Sequence, residues 1–195
     1  MARRSKTGKP QAGRLRIVAG NWRSRLLDIA DVAGLRPTSE RIRETLFNWL
    51  APGIHGKRCL DLFAGTGALG LEALSRGASE VVFVEMAPRA VRMLERNIEM
   101  LGAEGATVLQ QDASDFLGAA QQDPFDIVFL DPPFAEDVLG ELCRLLEELA
   151  FLSDDALVYL EQDRAKEMAV LPDNWCVLKN KTAGNVRYML ARRAA

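Results

Sequence analysis

The chain has one histidine, His55, and three cysteines, Cys59, Cys143 and Cys176, which are scattered and never form a C-x-x-C pair. That spacing gives neither a disulfide framework nor a ligand set, so three buried thiols of a reduced, cytoplasmic protein and no metal site are expected. No apolar run reaches the roughly 18 residues of a membrane span, which argues against a membrane partner. The basic start, MARRSKTGKPQAGR, is not followed by the apolar segment of a secretory signal. No internal repeat is visible.

Acid is also missing early. Nothing acidic precedes Asp28, whereas Arg3, Arg4, Lys6, Lys9, Arg14, Arg16, Arg23 and Arg25 all do. Residues 1–43 carry eleven Lys/Arg against three Asp/Glu, and the other 152 residues carry fourteen against twenty-four. A basic arm on an acidic body suits a polyanion, because each neutralised phosphate releases counterions.

What is present reads as one α/β domain with a short extension. RLRIVAG and SRLLDIA, separated by Gly20-Asn21-Trp22-Arg23, predict a small hairpin studded with arginine. The expected division is a basic arm and hairpin over 1–35 and a catalytic domain over 36–195. Residues 38–50 read as a helix capped by Thr38 or Ser39, with Ile42, Leu46, Trp49 and Leu50 on one face. Apolar runs at 58–63, 80–85, 106–111, 125–131 and 156–161 then alternate with helical segments near 67–77, 88–102, 113–120 and 136–150. This pattern predicts right-handed βαβ units and a mostly parallel sheet. The runs 175–181 and 185–193 close it as an antiparallel hairpin. Seven strands of this kind fit a Rossmann-like class I methyltransferase better than a dinucleotide dehydrogenase. The stripe Leu139, Leu142, Leu146 and Leu149 is expected in the core.

DLFAGTGALG (61–70) spells G-x-G-x-x-G at Gly65, Gly67 and Gly70, the dinucleotide fingerprint. The same turn accommodates S-adenosylmethionine, and Glu85 at the end of the next run can accept ribose hydroxyls in either case. Two carboxylates discriminate. Asp61, four residues before Gly65, would repel a pyrophosphate and attract a sulfonium or ammonium. Asp112, after the third run, is placed to accept from an adenine amine. Hydride transfer also lacks an actor, since His55 lies before the first of these strands. Gly70 falls within the following helix and is expected to serve close packing.

The fourth run ends in Asp131-Pro132-Pro133-Phe134. Two prolines terminate a strand rigidly and hold the Pro132 carbonyl in place. An aromatic exocyclic amine is a poor nucleophile because its lone pair is delocalised. Accepting its N–H bonds at the Asp131 carboxylate and the Pro132 carbonyl favours a pyramidal nitrogen aimed at a methyl donor. Phe134 can stack on an unstacked base. These residues do not separate guanine from adenine.

RIVAGNWRSR, LRPTSERIRETLFNWL, LDLFAGTGALGLEALSRGA and FLDPPF, in this order, resemble the bacterial 16S ribosomal RNA guanine-2-amino methyltransferases from Arg14 to the C-terminal hairpin. The resemblance implies that Asp61, Phe63, Gly65 and Gly67 line the methionine half of S-adenosylmethionine, Glu85 its ribose, and Asp112 with Ala113 its adenine. It implies that Asp131, Pro132, Pro133 and Phe134 form the target-amine site, with Arg36, Pro37 and Thr38 against it. Arg14, Arg16, Arg23, Arg25, Arg36, Thr38, Arg41 and Arg43 are then candidates to hold 16S ribosomal RNA or the small ribosomal subunit, by a protein expected to be monomeric. A DNA adenine amino-methyltransferase and a nicotinamide-dependent oxidoreductase are the alternatives. A catalytically silent RNA-binding module is a third.

Overall fold

The structure, a computed structural model, describes residues 13–29, 38–119 and 123–194. Arg36 and Pro37, and the boundary expected at 35/36, lie outside the described residues.

Strands β1 (Arg14–Arg16) and β2 (Leu26–Asp28) pair antiparallel. Two-residue alternation turns Leu15 and Leu27 inward and leaves their neighbours exposed. With Ile17, they join the buried core shared with the first two helices. Each such side chain contributes about 1.5–3 kcal/mol on burial, which holds the hairpin to the body.

Helix α1 (Glu40–Leu50) starts at Ser39, whose hydroxyl accepts from the Ile42 N–H at 3.3 Å. That satisfies one of the amides a helix start leaves unpaired. Its buried face holds Ile42, Leu46, Phe47 and Leu50, and also Arg43. Trp49 stacks on Tyr188 with ring centroids 5.5 Å apart.

Strands β3 (Arg58–Asp61), β4 (Glu80–Val84), β5 (Ala106–Leu109), β6 (Phe125–Leu130), β7 (Leu152–Asp163), β8 (Trp175–Ala183) and β9 (Val186–Arg193) form one sheet in the order β5-β4-β3-β6-β7-β9-β8. The first five are parallel, and β9 runs antiparallel to both β7 and β8. Helices α2 (Ala68–Ser75), α3 (Pro88–Leu101), α4 (Ala113–Gly118) and α5 (Leu139–Glu148) lie between the parallel strands in the chain. The observed fold is thus the mostly parallel seven-stranded α/β sheet with a C-terminal antiparallel hairpin.

Alternation divides the core. Cys59, Phe83, Phe129 and Tyr159 face the side of α1 and α2, whereas Leu60, Val82, Val128 and Leu160 face α4 and α5. By the same two-residue period, Asp61, Asp131 and Glu161 fall on the α1–α2 side of their strands. Strand β3 ends at Asp61 rather than Phe63, because the glycine turn begins at once. Strand β7 is longer than 156–161 at both ends.

Two expectations are corrected. Cys59 and Cys143 are buried but Cys176 is exposed, because β8 is the sheet's edge and lies open along nearly its whole length. Leu139, Leu142 and Leu146 are buried, while Leu149 is exposed just past the end of α5.

Candidate active site

The turn after β3 brings Gly65 and Gly67 to φ +53° and +83°. Both lie in the left-handed region that glycine enters without a steric cost. A Cβ on Gly67 would also sit 2.4 Å from Leu94 Cδ1. Beneath this turn, the buried Asp61 accepts from the Gly70 N–H at 3.0 Å. Burial pushes its carboxyl up to about 7, although the Gly70 amide opposes the shift. Glu85, one residue past β4, accepts from the Gly65 N–H at 2.8 Å and from the Ala87 N–H at 2.7 Å.

Two carboxylates therefore occupy the amides that a pyrophosphate would use at a dinucleotide loop. Asp112 lies past β5 and caps α4, accepting from the Ser114 N–H at 2.7 Å. Phe63 is half-buried and Ala113 buried. Sequence reasoning missed Met86, which is 66% exposed beside Glu85. In the sequence it reads as an ordinary residue following a strand, and nothing there marks it. This donor set suits a cationic, hydroxyl-bearing ligand with an apolar ring.

Asp131 follows β6 at the same edge. The Thr38 hydroxyl, just before α1, donates to its Oδ2 at 3.0 Å. Burial pushes the Asp131 carboxyl up to about 6 against the pull of that hydrogen bond. Pro132 is buried, Pro133 exposed and Phe134 half-buried. Together with Glu161, Gln162 and Lys166 these three line a shallow cleft.

Glu161 is the second omission. It is 2% exposed, and its Oε1 accepts from the Tyr159 hydroxyl at 2.6 Å. Burial and the nearby Asp131 push its carboxyl up to about 8. In the sequence it looks like the polar end of an ordinary strand.

Of the arginines expected to face RNA, Arg14, Arg16, Arg23, Arg25 and Arg41 are exposed. Among the described residues, Arg14 alone of these has an ion pair, a loose one with Asp28 at 3.7 Å. Arg43 is a correction: it is buried, with Nη1 3.6 Å from Glu72 and Nη2 donating to the Arg16 carbonyl at 2.9 Å. It ties α1 to α2 and the hairpin and cannot dock a phosphate. Glu72 also accepts from the Val18 and Ala19 amides and from Arg76. Backbone amides and guanidinium groups thus satisfy both oxygens of the buried carboxylate.

A five-stranded parallel sheet closed by an antiparallel hairpin, with a carboxylate-lined glycine turn and an Asp-Pro-Pro-Phe edge, defines a Rossmann-like methyltransferase. Comparison with known proteins narrows the class. Residues 15–192 match the family model described as Conserved hypothetical protein 95. The chain is 46% identical over 184 residues to ribosomal RNA small subunit methyltransferase D of Escherichia coli K12, covering 94% of this chain and 92% of the relative. The Haemophilus influenzae protein of that name is 46% identical over 181 residues, covering 91% and 93%. The solved Escherichia coli protein yhhF superposes with a TM-score of 0.87 at 44% identity, over 94% of this chain and 99% of that one. The chain belongs to the ribosomal RNA small subunit methyltransferase D family.

Proposed function

We propose that the protein transfers a methyl group from S-adenosylmethionine to the exocyclic 2-amino group of one guanine in 16S ribosomal RNA, acting as a cytoplasmic monomer. The observation that carries this reading is the Asp131 carboxylate. Thr38 engages one of its oxygens, it opens a rigid Pro-Pro-Phe edge, and it shares the sheet's carboxyl end with the glycine turn.

Asp61, Phe63, Gly65 and Gly67 would hold the methionine half of the cofactor, Glu85 the ribose, and Asp112 with Ala113 the adenine. S-adenosylmethionine supplies an electrophilic methyl on a sulfonium. The surrounding carboxylates favour that cation and disfavour a pyrophosphate. Asp131 and the Pro132 carbonyl accept the two N–H bonds of the amine and turn its lone pair outward. Phe134 stacks on the base, which is flipped out or already unpaired. Holding the two reactants in line supplies much of the acceleration. The product arylammonium is acidic, so its proton leaves without a dedicated strong base. Arg14, Arg16, Arg23 and Arg25 of the hairpin and Arg41 of α1 offer charge to phosphates, and the family membership supports ribosomal RNA as the target.

Mass mapping of ribosomal RNA from a deletion strain tests this. One methylguanine should vanish from the 16S molecule and return when the gene is restored. Loss of a methyladenine, or no change at all, would overturn the guanine assignment. Thermal shift with S-adenosylhomocysteine and with NADH tests the ligand class, and stabilisation by NADH alone would overturn it.

A further inference from the structure

We propose that Lys179 and Lys181 of β8 form a second contact for RNA phosphates, on the face of the sheet that carries Asp131. The inference rests on the reading of Asp131 as the target-amine site and extends it to the nucleotides beside the target.

The C-terminal hairpin repeats the charge pattern of the first one. Nothing acidic follows Asp173, whereas Lys179, Lys181, Arg187, Arg192 and Arg193 all do. Arg193 is held by Glu147 and Asp154, and Arg192 lies 3.9 Å from Asp155. Arg187 donates to the backbone carbonyls of Lys166 and Arg164. The two lysines are exposed and, among the described residues, have no carboxylate partner.

A bulge aims them. Val177 pairs with Ala191 and Lys179 with Leu190, so Leu178 is an extra residue in β8. An unbroken ladder would set Lys179 beside Met189 and Lys181 beside Arg187, turning both toward the face of α4 and α5. The bulge moves them by one place, beside Leu190 and Tyr188, which belong to the α1–α2 side. The Lys181 ammonium accordingly lies 5.7 Å from the centre of the Trp49 ring, which itself stacks on Tyr188. An aromatic support steadies the side chain and leaves its charge unneutralised.

Register sets the distance to the site. Glu161 pairs with Tyr188 and Tyr188 with Lys181, and Asp131 follows the Leu130 that pairs with Leu160. Asp131 and Lys181 therefore end the same row, three strand spacings or about 14 Å apart across the sheet. The β1–β2 hairpin is tied to α2 on that same side, and α2 packs on β3 and β4, beyond β6 from β8. RNA whose target base enters at Asp131, between them, meets cations on either side.

Acetylation of the lysines in the intact protein, read by mass spectrometry with and without 16S ribosomal RNA from a deletion strain, needs no turnover. Bound RNA should suppress acetylation of Lys179 and Lys181. Changing both to alanine should raise KM for RNA about tenfold with kcat unchanged, and lower the salt slope of binding by about 0.7–0.9 for each phosphate released. Lys179→Asn, Asn180→Lys, Lys181→Thr and Thr182→Lys together keep composition and net charge but turn both lysines to the other face. That variant should lose as much as the alanine pair, while S-adenosylhomocysteine affinity stays unchanged in both and reports an intact fold. Wild-type RNA affinity in the interchanged variant, or full acetylation while RNA is bound and methylated, would overturn the inference. Lysines protected by RNA with no methylguanine formed would overturn the functional reading instead, and leave this surface standing.

Discussion

Phe83 fills the space a side chain at residue 70 would need. A Cβ on Gly70 would lie 2.1 Å from Phe83 Cε1 and 2.9 Å from Val81 Cγ1. The third glycine of the loop motif therefore exists for the packing of α2 against β4. Gly70→Ala should cost about 1–3 kcal/mol by overpacking, read by urea unfolding. Adding Phe83→Leu should recover part of the loss, and a strictly additive double mutant would contradict the contact.

Glu72 joins three pieces of chain: the Val18–Ala19 backbone, Arg43 of α1 and Arg76 after α2. Glu72→Ala leaves the Arg43 guanidinium buried without its carboxylate. A loss of about 3–5 kcal/mol is expected, with faster hydrogen exchange at the Val18 and Ala19 amides. Slow exchange there in the variant would show that the hairpin is held by other means.

Asp131→Ala should lower kcat by about a hundredfold or more, the scale of a misaligned reacting pair. S-adenosylhomocysteine affinity by calorimetry should stay unchanged. Full activity on ribosomal RNA would remove Asp131 from the mechanism.

Stability should fall as pH rises through neutrality. Asp61 has its carboxyl raised to about 7 by burial, against about 3.9 in the unfolded chain. A raised acid binds its proton more tightly when folded. Its contribution is therefore complete below the unfolded value and disappears as pH passes the folded one. Asp131 and Glu161 act in the same direction. Tm should be higher near pH ~5.5 than near pH ~8.5, and Asp61→Asn should flatten that slope while keeping an acceptor for Gly70.

Changing Arg14, Arg16, Arg23 and Arg25 together to alanine should weaken RNA binding and make it less salt-sensitive. The slope of log affinity against log salt should fall by about 0.7–0.9 for each phosphate that is no longer neutralised. An unchanged slope would move the RNA to another face.

Periodicity makes the strands and helices readable, since a parallel strand buried on both faces is a nearly unbroken apolar run. Two prolines after Asp131 mark the edge of the sheet without any structure. Glycine spacing is ambiguous by itself, and the carboxylates around it resolve the ambiguity. Arg43 misleads because it and Arg41, two positions apart, look alike until one turns inward toward a carboxylate 29 positions later. Glu161 escapes notice for a related reason. Its neighbour Asp131 is 30 residues away in sequence, and only the register of two parallel strands sets them side by side. Periodicity reports which way a residue faces, and says nothing of which strand lies next to it.

The hairpin's anchor has a consequence for how the chain matures. Val18 reaches its carboxylate partner across 54 residues, so during synthesis the hairpin emerges well before the helix that receives it. Until Glu72 appears, the Val18 and Ala19 amides lack their carboxylate partner. Full docking of the hairpin thus waits for the glycine-turn helix. A hairpin held at Glu72 is one whose glycine-turn helix is already built.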